Sequence, residues 1–443
     1  APVPTPAPVP TPAPVPTPTK LGVYVPAPTT SLVVNVKDSI YGAKGDGQTD
    51  DTQAIQKAID YISAQGGGIV DVPTGTYMLD AVNNRLHLKS NVILRMSDDA
   101  ILQAIPNDQE LYDIIRIRNV DNAHILGGTI IGDRDTHLGT TGEGGHGIRI
   151  MASTNVVIEN VTAKELWGDG IYMGKDATHN TQNQNITVYN VDMNHNRRQG
   201  ISITHGKDIK ILNSIFQNTD GTDPRSGLDI EPNANQNVSN VEVRGNQFLN
   251  NHIGFLIANN KENATVDNVI FKDNVLSGNP RDAIIIRGLT NGSVKGNTIY
   301  QDPDAHHHSS GGIRLYNGDI IKTQDIDFSD NIIYGGEILV RDTTGNTFNN
   351  NIYKSAVFIR GEVKTGETIS ASVYDGDGVP NGINYQWYVD GQAITGATEQ
   401  TYTIKTQDLN KSLTVEVRFD DNKGNGETAT SSATVVSLGM SSN

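Results

Sequence analysis

The chain has 443 residues, a formal net charge of −16 and no cysteine. This length exceeds one ordinary hydrophobic core, so we expect two domains or a repeat architecture. The negative charge argues against a nucleic acid partner, the lack of cysteine excludes disulfides and thiolate metal sites, and no apolar run is long enough for a membrane span.

Proline dominates the start of the chain, where residues 1–19 read APVPTPAPVPTPAPVPTPT. Proline cannot donate a hydrogen bond to a β-ladder, and at this density it favours an extended polyproline spacer. We therefore predict a linker or stalk over residues 1–31.

A short amphipathic helix followed by a strand is predicted within residues 33–79. Asp50 or Asp51 can cap this helix, and Gly66 to Gly68 can end it before the strand IVDVP. The segment resembles the opening of the pectate-lyase-like superfamily, where such a helix closes the first end of a right-handed parallel β-helix. The predicted apolar face of the helix consists of Ala54, Ile55, Ala58, Ile59 and Ile62.

Two short motifs recur through the middle of the chain. One reads GIRI at 147, GIYM at 170, GISI at 200, GLDI at 227 and GFLI at 254, with looser copies AIII at 283, GIRL at 312 and EILV at 337. The other ends in asparagine, as in NVVIEN, NITVYN and DIKILN. Two strand signals in each period indicate stacked coils. We predict an all-β fold, a right-handed parallel β-helix of roughly ten coils over residues 32–354.

The asparagines that end the second motif are also expected to have a structural role. Asparagine tolerates the left-handed turn conformation, and equivalent side chains on stacked coils can hydrogen-bond to each other. The candidates are Asn160, Asn190, Asn213, Asn274 and Asn331.

Residues 355–443 differ from the repeats in having alternating strands, frequent turn signals and a tryptophan, Trp387, suited to a sandwich core. We predict a small immunoglobulin-like β-sandwich without a disulfide. It would serve as a carbohydrate- or cell-wall-binding module or as a spacer.

The coils should align outward side chains into columns, because equivalent positions stack about 4.8 Å apart. Ionisable groups crowd the columns between residues 146 and 231, and apolar residues follow in the first column. That column reads Arg149, Tyr172, Ser202, Asp229, Leu256, Ile285, Arg314 and Leu339. From this face we take as candidate catalytic residues Asp169, Tyr172, His205, Asp229 and Glu231. The candidate substrate-binding residues are His146, Arg149, Lys175, Arg198, Arg225 and Arg287.

The pair Asp229 and Glu231 lies on one strand with Cα atoms about 6.5–7 Å apart. Two carboxylates this close shift each other's pKa, which suits acid–base chemistry at a sugar linkage. Structural ion pairs, with Arg225 or an arginine of a neighbouring coil, and a bound Ca²⁺ are the alternatives. A second metal candidate is the run from His306 to His308, which has no suitably spaced acidic partner.

The other candidates also have plain structural alternatives. Asp169 can be a solvated turn residue, and Tyr172 can stack on the coil surface. Arg198, which can bind a carboxylate bidentately, can be a surface charge, and His205, a candidate base, can be a loop histidine.

The order of motifs resembles the catalytic modules of alginate (mannuronan) C-5 epimerases and, more distantly, pectate lyases and polygalacturonases. Those epimerases carry a Tyr-Gly-Phe-Asp-Pro-His type motif. The equivalent residues 169–174 read DGIYMG, in which the aspartate and the histidine of that motif are absent from their places. The glutamine of QGISI stands where polygalacturonases have a histidine. The resemblance implies activity on extended polysaccharides, often anionic ones, but no catalytic set transfers residue by residue.

We expect a secreted or cell-surface enzyme, bacterial or from a phage, that cleaves an anionic polysaccharide by β-elimination. Tyr172 or His205 would abstract the C5 proton while a cationic group or Ca²⁺ neutralises the uronate. The alternatives are hydrolysis by Asp169, Asp229 and Glu231, uronate epimerisation, and a non-catalytic adhesin or glycan-binding protein. Both a monomer and a trimer are compatible with the sequence.

Overall fold

The computed structural model describes residues 32–301, 312–375, 382–420 and 426–439. The predicted linker 1–31 and the run from His306 to His308 lie outside these residues. No helix in the described segments is long and apolar enough to cross a membrane.

Short strands make up most of the described chain, with a single α-helix, α1 (Thr52–Ala64), and one 3₁₀ turn, Thr406–Asp408. In chain order the strands are β1 (Val33–Asn35), β2 (Asp46–Asp50), β3 (Gly68–Val72), β4 (Gly75–Leu79), β5 (Leu86–Leu88), β6 (Val92–Met96), β7 (Ala100–Ala104), β8 (Asp113–Arg118), β9 (Asp121–Leu126), β10 (Thr129–Ile131), β11 (His146–Met151), β12 (Thr154–Glu159), β13 (Thr162–Lys164), β14 (Asp169–Gly174), β15 (Gln184–Tyr189), β16 (Asp192–Asn194), β17 (Gln199–Ile203), β18 (Gly206–Leu212), β19 (Ile215–Gln217), β20 (Ser226–Ile230), β21 (Asn237–Arg244), β22 (Gln247–Leu249), β23 (Ile253–Ala258), β24 (Thr265–Lys272), β25 (Val275–Ser277), β26 (Asp282–Arg287), β27 (Thr290–Lys295), β28 (Thr298–Tyr300), β29 (Gly312–Tyr316), β30 (Gln324–Ser329), β31 (Ile332–Tyr334), β32 (Glu337–Arg341), β33 (Thr347–Asn349), β34 (Ile352–Lys354), β35 (Ala356–Arg360), β36 (Thr368–Tyr374), β37 (Asn384–Val389), β38 (Gln392–Ala393), β39 (Thr401–Thr403), β40 (Ser412–Asp420), β41 (Gly426–Thr430) and β42 (Thr434–Val435).

Three parallel sheets run the length of the repeats, and each coil contributes a strand to each of them in turn. Sheet A has the order β1-β3-β6-β9-β12-β15-β18-β21-β24-β27-β30-β33, and sheet B the order β2-β4-β7-β10-β13-β16-β19-β22-β25-β28-β31-β34. Sheet C, with the order β5-β8-β11-β14-β17-β20-β23-β26-β29-β32, contains the GIxI copies. The predicted parallel β-helix is confirmed, with two sheets of twelve strands and one of ten in the described residues.

The repeating glycines of sheet C have a packing role. A Cβ at Gly200 would lie 2.3 Å from the carbonyl oxygen of Gly227 on the next coil. Inside the coils, Phe216 stacks on Phe248 with ring centroids 4.9 Å apart. A side chain at the glycine position would therefore force neighbouring coils apart.

Helix α1 covers the first coils with the predicted apolar face, since Ile55, Ala58, Ile59 and Ile62 are buried. Asp51 occupies the N-cap position but makes no side-chain capping bond.

The carboxylate of Asp51 instead accepts hydrogen bonds from the backbone N–H groups of Lys44 and Gly45, at 2.7 and 2.8 Å. Asp50 Oδ1 accepts one from the N–H of Thr52 at 3.0 Å. Asp50 therefore hydrogen-bonds to the first residue of the helix, and Asp51 hydrogen-bonds to the preceding loop.

Asparagine ladders link the coils, although not all the predicted residues take the left-handed conformation. Asn160, Asn190 and Asn213 have positive φ, whereas Asn274 and Asn331 follow the left-handed residues Asp273 and Asp330. The side-chain amide of Asn190 donates to Asn160 Oδ1 at the surface. A second ladder, mostly buried, consists of Asn246, Asn274, Asn297, Asn331 and Asn351.

Two small antiparallel sheets follow the parallel ones. One has the order β35-β36-β39, and the other β38-β37-β40-β41 with β42 pairing to β40. Trp387 is fully buried between them and stacks on Tyr402 at 5.7 Å. The immunoglobulin-like assignment and the boundaries at 31/32 and 354/355 stay predictions.

Candidate active site

The outer face of sheet C carries the predicted columns. Strand pairing places Arg149 beside Tyr172, Tyr172 beside Ser202, and Ser202 beside Asp229. The backbone N–H of Glu231 donates to Ile203 O, which continues the same register past β20. The alignment of distant residues predicted from the repeats is therefore present.

Three carboxyl groups on this face lie within electrostatic reach of the Arg198 guanidinium, those of Asp169, Asp229 and Glu231. We call these four residues the acid centre. Arg198 Nη1 donates to both carboxylate oxygens of Asp169 and to Ser202 Oγ, each at 3.3 Å. Arg198 therefore holds the strands β14 and β17 in register and neutralises part of the negative charge.

Asp229 is buried, with one hydrogen bond in place. Its Oδ2 accepts from Gln199 Nε2 at 3.1 Å, while Oδ1 has no hydrogen-bond partner. Burial raises the pKa of Asp229 well above its usual range, the nearby carboxylate of Glu231 raises it further, and Arg198 opposes both. Asp229 therefore keeps its proton at pH values where an ordinary aspartate has lost it.

Glu231 is only partly buried and so remains open to a ligand. Burial raises its pKa, the positive charges of Arg198, Lys261 and Arg287 lower it, and the negative charge of Glu143 raises it. Because the carboxyl groups of Asp229 and Glu231 repel each other when both are ionised, the charge on Glu231 favours the protonated form of Asp229.

The backbone N–H of Asp169 donates to His146 Nδ1 at 3.2 Å. Burial, together with the charge of Arg149, lowers the pKa of His146 to about 3. His146 is therefore neutral, and its contact with Asp169 is not an ion pair. Burial raises the pKa of Asp169, and the charge of Arg198 opposes that shift.

Tyr172 lies between these groups and the second column. The ring of His146 stacks on it at 4.9 Å, the Arg149 guanidinium lies 5.3 Å from its ring centroid, and its hydroxyl is 3.3 Å from Thr204 Oγ1. A Cβ at Gly174 would lie 2.4 Å from the Tyr172 ring. The space left by Gly174 is therefore filled by the Tyr172 ring.

A fourth carboxylate reaches the acid centre from the loop between β10 and β11. Glu143 Oε2 lies 3.3 Å from Arg198 Nε, and the Glu143 side chain is 66% exposed. Glu143 could not be identified from the sequence repeats, because the loop GEGG has no counterpart on the other coils.

A buried network anchors this loop. Asp133 accepts hydrogen bonds from Tyr112 and His137. The His137 ring stacks on Trp167 at 4.0 Å, and the Arg197 guanidinium lies 3.8 Å from the Trp167 ring centroid. These contacts fix the base of the loop that carries the extra carboxylate.

The opposite end of the face is cationic. Arg85, Arg116 and Arg149 lie 3.4, 2.5 and 3.9 Å from Asp113 Oδ1, and we call these four residues the cationic end. Of these four residues, only Arg149 was predicted from the sequence repeats. The strand DIIRIR is an earlier copy of the motif with isoleucine in place of glycine, and that pattern is the signal for Arg116.

Arg225 is not brought to the acid centre. It pairs with Asp220 at 3.2 Å and Asp223 at 2.9 Å on its own loop. Arg198, not Arg225, is therefore the arginine that neutralises the carboxyl groups.

His205, Lys175 and Arg287 lie at the margins of the site. His205 Nδ1 accepts a hydrogen bond from the N–H of Asn237, and burial, with the charge of Lys175, lowers its pKa. Arg287 pairs with Asp319 at 3.1 Å. In the described chain, no hydrogen bond or ion pair joins these three to the acid centre.

Beyond the acid centre the face becomes apolar, as predicted. Ile253, Leu256 and Ile285 form a buried cluster with Ala258 and Tyr316 against it.

No group of three or more histidine, aspartate or glutamate side chains in the described segments could hold a metal ion. The bound Ca²⁺ considered from the sequence stays a prediction.

Two family models match the chain. The one described as right handed beta helix region matches residues 110–271 and 236–373, more than half of the chain. The one described as rhamnogalacturonase A/epimerase, pectate lyase-like, matches residues 33–94. The resemblance inferred from the opening helix is thereby confirmed.

Individual proteins show the same likeness. Protein YclG of Bacillus subtilis (strain 168) is 28% identical over 302 residues, 62% of this chain and 50% of YclG. Alginate lyase 7 of Azotobacter vinelandii is 39% identical over 149 residues, 30% of this chain and 17% of that protein. The chain thus spans half or less of the length of these relatives. The solved Dettilon tailspike protein has a TM-score of 0.52 at 14% identity, covering 88% of this chain and 78% of that one, which shows the fold alone.

Proposed function

The chain belongs to the right-handed beta helix family, and on that premise we propose that it is a polysaccharide-acting enzyme that hydrolyses a glycosidic bond at the acid centre. The observation that carries this proposal is the placement of Asp229 and Glu231, two carboxyl groups two residues apart on one outer face, where burial raises the pKa of both. The likeness to a protein named alginate lyase 7 supports a polysaccharide substrate.

Glycoside hydrolysis needs one protonated and one ionised carboxyl group beside the scissile bond. The protonated acid of the pair donates its proton to the glycosidic oxygen as the bond to the anomeric carbon breaks. The ionised partner takes a proton from the water that attacks that carbon. Arg198 limits the repulsion between the acids, so one of them stays ionised while the other holds its proton.

Each residue of the pair has a different access to substrate. Glu231 is partly exposed and can contact a sugar directly, whereas Asp229 is buried, including its unpartnered Oδ1. Asp169 is fully buried and bonded to Arg198, so we assign it a positioning role.

β-Elimination is the second candidate, favoured by the contact of Tyr172 with the Arg149 guanidinium. Tyr172 would be the base, and Arg149 would neutralise the uronate carboxylate. His205 has a weaker claim because its Nδ1 already accepts the N–H of Asn237. Epimerisation would use the same proton abstraction but would return a proton to C5 without cleaving the chain, so it gives neither an unsaturated product nor new reducing ends.

The decisive experiment is to measure new reducing ends on a panel of neutral, uronate-containing and sulfated polysaccharides. Glu231→Gln should lower activity by about 10²–10⁴-fold, the contribution usual for a general acid or base. Glu242→Gln is the matched control, since Glu242 is a half-buried, arginine-paired glutamate on the outer face of sheet A.

The products separate the candidates. Hydrolysis gives reducing ends without an ultraviolet-absorbing unsaturated product, whereas elimination gives both. An unsaturated product that persists in Glu231→Gln and disappears in Tyr172→Phe would refute the hydrolytic proposal. If no polysaccharide of the panel is cleaved, the hydrolytic proposal is refuted, and epimerisation and glycan binding without catalysis are the remaining alternatives.

The proposed place of action is outside the cell or on a phage or cell surface, where extended polysaccharides are accessible. The two antiparallel sheets would then serve as a second carbohydrate-binding module or as a spacer.

A further inference from the structure

Charge is distributed unevenly along the outer face of sheet C. The cationic end has three guanidinium groups around a single carboxylate, a local excess of positive charge. Asp80, which is not part of the cationic end, also places a negative charge near Arg85. Its carboxylate accepts hydrogen bonds from the backbone N–H of Val82 and from the side-chain amides of Asn83 and Asn84. With Asp80 included, three guanidinium groups stand against two carboxylates, so the local charge remains positive.

The Arg149 guanidinium has N–H groups that make no hydrogen bond. Its Nη1 is 3.9 Å from Asp113 Oδ1, beyond hydrogen-bond distance, and its Nε is buried without a partner. No hydrogen bond to its side chain occurs in the described chain, although the side chain is only 19% exposed. Buried donors are nearly always hydrogen-bonded in proteins, so a guanidinium with one long ion pair and one ring contact but no hydrogen bond indicates a ligand.

The acid centre has the opposite charge. Asp169, Asp229 and Glu231 share Arg198, and Glu143 approaches the same guanidinium. A sugar that carries a carboxylate would be repelled at this point, whereas an uncharged sugar would not.

The two regions are far enough apart to act on different units of a bound chain. Arg149 lies on β11 and Asp229 on β20, three strands further along sheet C. Three strand spacings are about 14 Å. This exceeds the screening length of about 8–10 Å at physiological ionic strength, so Arg149 and the Asp229–Glu231 pair act on different units. Asp169, on the intermediate strand β14, still lies within reach of the Arg149 charge.

We propose that the cationic end is a subsite for an anionic group, a carboxylate or a sulfate, on one unit of a mixed polysaccharide whose unit at the acid centre is uncharged. This inference rests on the proposed function for the meaning of the acid centre. It predicts an acidic heteropolysaccharide as substrate and disfavours a homopolymer of uronate.

The subsite is tested by titrating the full chain with sodium glucuronate, with glucose and sodium chloride as ligand controls. Arg149→Gln should weaken glucuronate binding about tenfold or more, because it removes charge-assisted hydrogen bonds. Asp113→Asn should strengthen binding, because it removes the competing carboxylate. Arg244→Gln, on sheet A, is the matched control and should leave binding unchanged.

These variants change binding in opposite directions, so a general loss of folding cannot imitate the expected pattern. A parallel titration with glucose 6-sulfate shows whether a sulfate binds as well. The subsite is refuted if neither anion binds saturably, or if Arg149→Gln and Arg244→Gln behave alike.

The substrate pattern is tested by electrophoresis of Glu231→Gln in gels containing dextran, polygalacturonate or hyaluronan, which alternates acidic and neutral units. Hyaluronan should retard the protein most, and adding Arg149→Gln should remove that retardation. Equal retardation by all three, or the greatest by polygalacturonate, overturns the pattern.

Failure of this inference is distinguishable from failure of the proposed function. Glucuronate binding that depends on Arg149 without any cleavage would refute the function and keep the subsite. If Glu231→Gln loses cleavage but Arg149→Gln binds the anion as well as the unchanged protein does, the proposed function stands and the subsite is refuted.

Discussion

Replacing Arg198 by methionine should destabilise the β-helix, because it leaves the carboxylate of Asp169 buried without its cation. Arg198 Nη1 lies 3.3 Å from each oxygen of Asp169, which is fully buried. At that distance the attraction is about 5 kcal/mol for an effective dielectric constant of about 20. Removing one partner of a buried pair typically costs about 3–5 kcal/mol.

We expect a loss of about 3 kcal/mol, at the lower end of that range, because Asp169 can take up a proton. Burial already raises its pKa in the folded protein, and without Arg198 the pKa rises further. The unfolded chain then holds fewer protons than the folded one above the ordinary pKa, so the variant loses stability as pH rises. The destabilisation should therefore be smaller near about pH 4 than near about pH 7.

Urea unfolding followed by circular dichroism at both pH values measures these differences. Asp169→Asn combined with Arg198→Met removes both charges and should recover most of the lost stability. A loss below about 1 kcal/mol, the value usual for an exposed pair, would refute the reasoning. So would a loss that is equal at both pH values, or one that Asp169→Asn does not relieve.

The remaining predictions concern activity and the asparagine ladders. Hydrolytic activity should fall as pH rises through the raised pKa of the Asp229–Glu231 pair. Glu143→Gln should move that alkaline limb to lower pH, since Glu143 raises the pKa of Glu231; a pH–rate profile that does not move contradicts this. Asn274→Ala should cost about 1–3 kcal/mol because it leaves buried ladder partners unpaired. Asn190→Ala, in an exposed ladder, should cost less, and thermal melts of both variants check the order.

The order of the columns was predictable from the sequence because it depends only on repeat spacing. Parallel coils place equivalent positions side by side, so aligning GIYM, GISI and GLDI correctly aligns Tyr172, Ser202 and Asp229. The same alignment would have reached Arg116 had the copy without glycine been recognised.

The surroundings of those residues were not predictable in this way. Glu143 comes from an irregular loop, and Arg225 turns towards Asp220 on its own loop. Such side-chain directions depend on loop paths and on competition among several partners. No repeat pattern records that competition.

By itself the sequence determined the coiled architecture, the outward face of sheet C and the neighbouring places of the acids on it, since local periodicity imposes all three. Only the tertiary structure decided how deeply Asp229 is buried, which arginine neutralises the acids and that the Arg149 guanidinium makes no hydrogen bond. Those outcomes arise from desolvation and from contacts between residues far apart in the chain, and both depend on the packed environment as a whole.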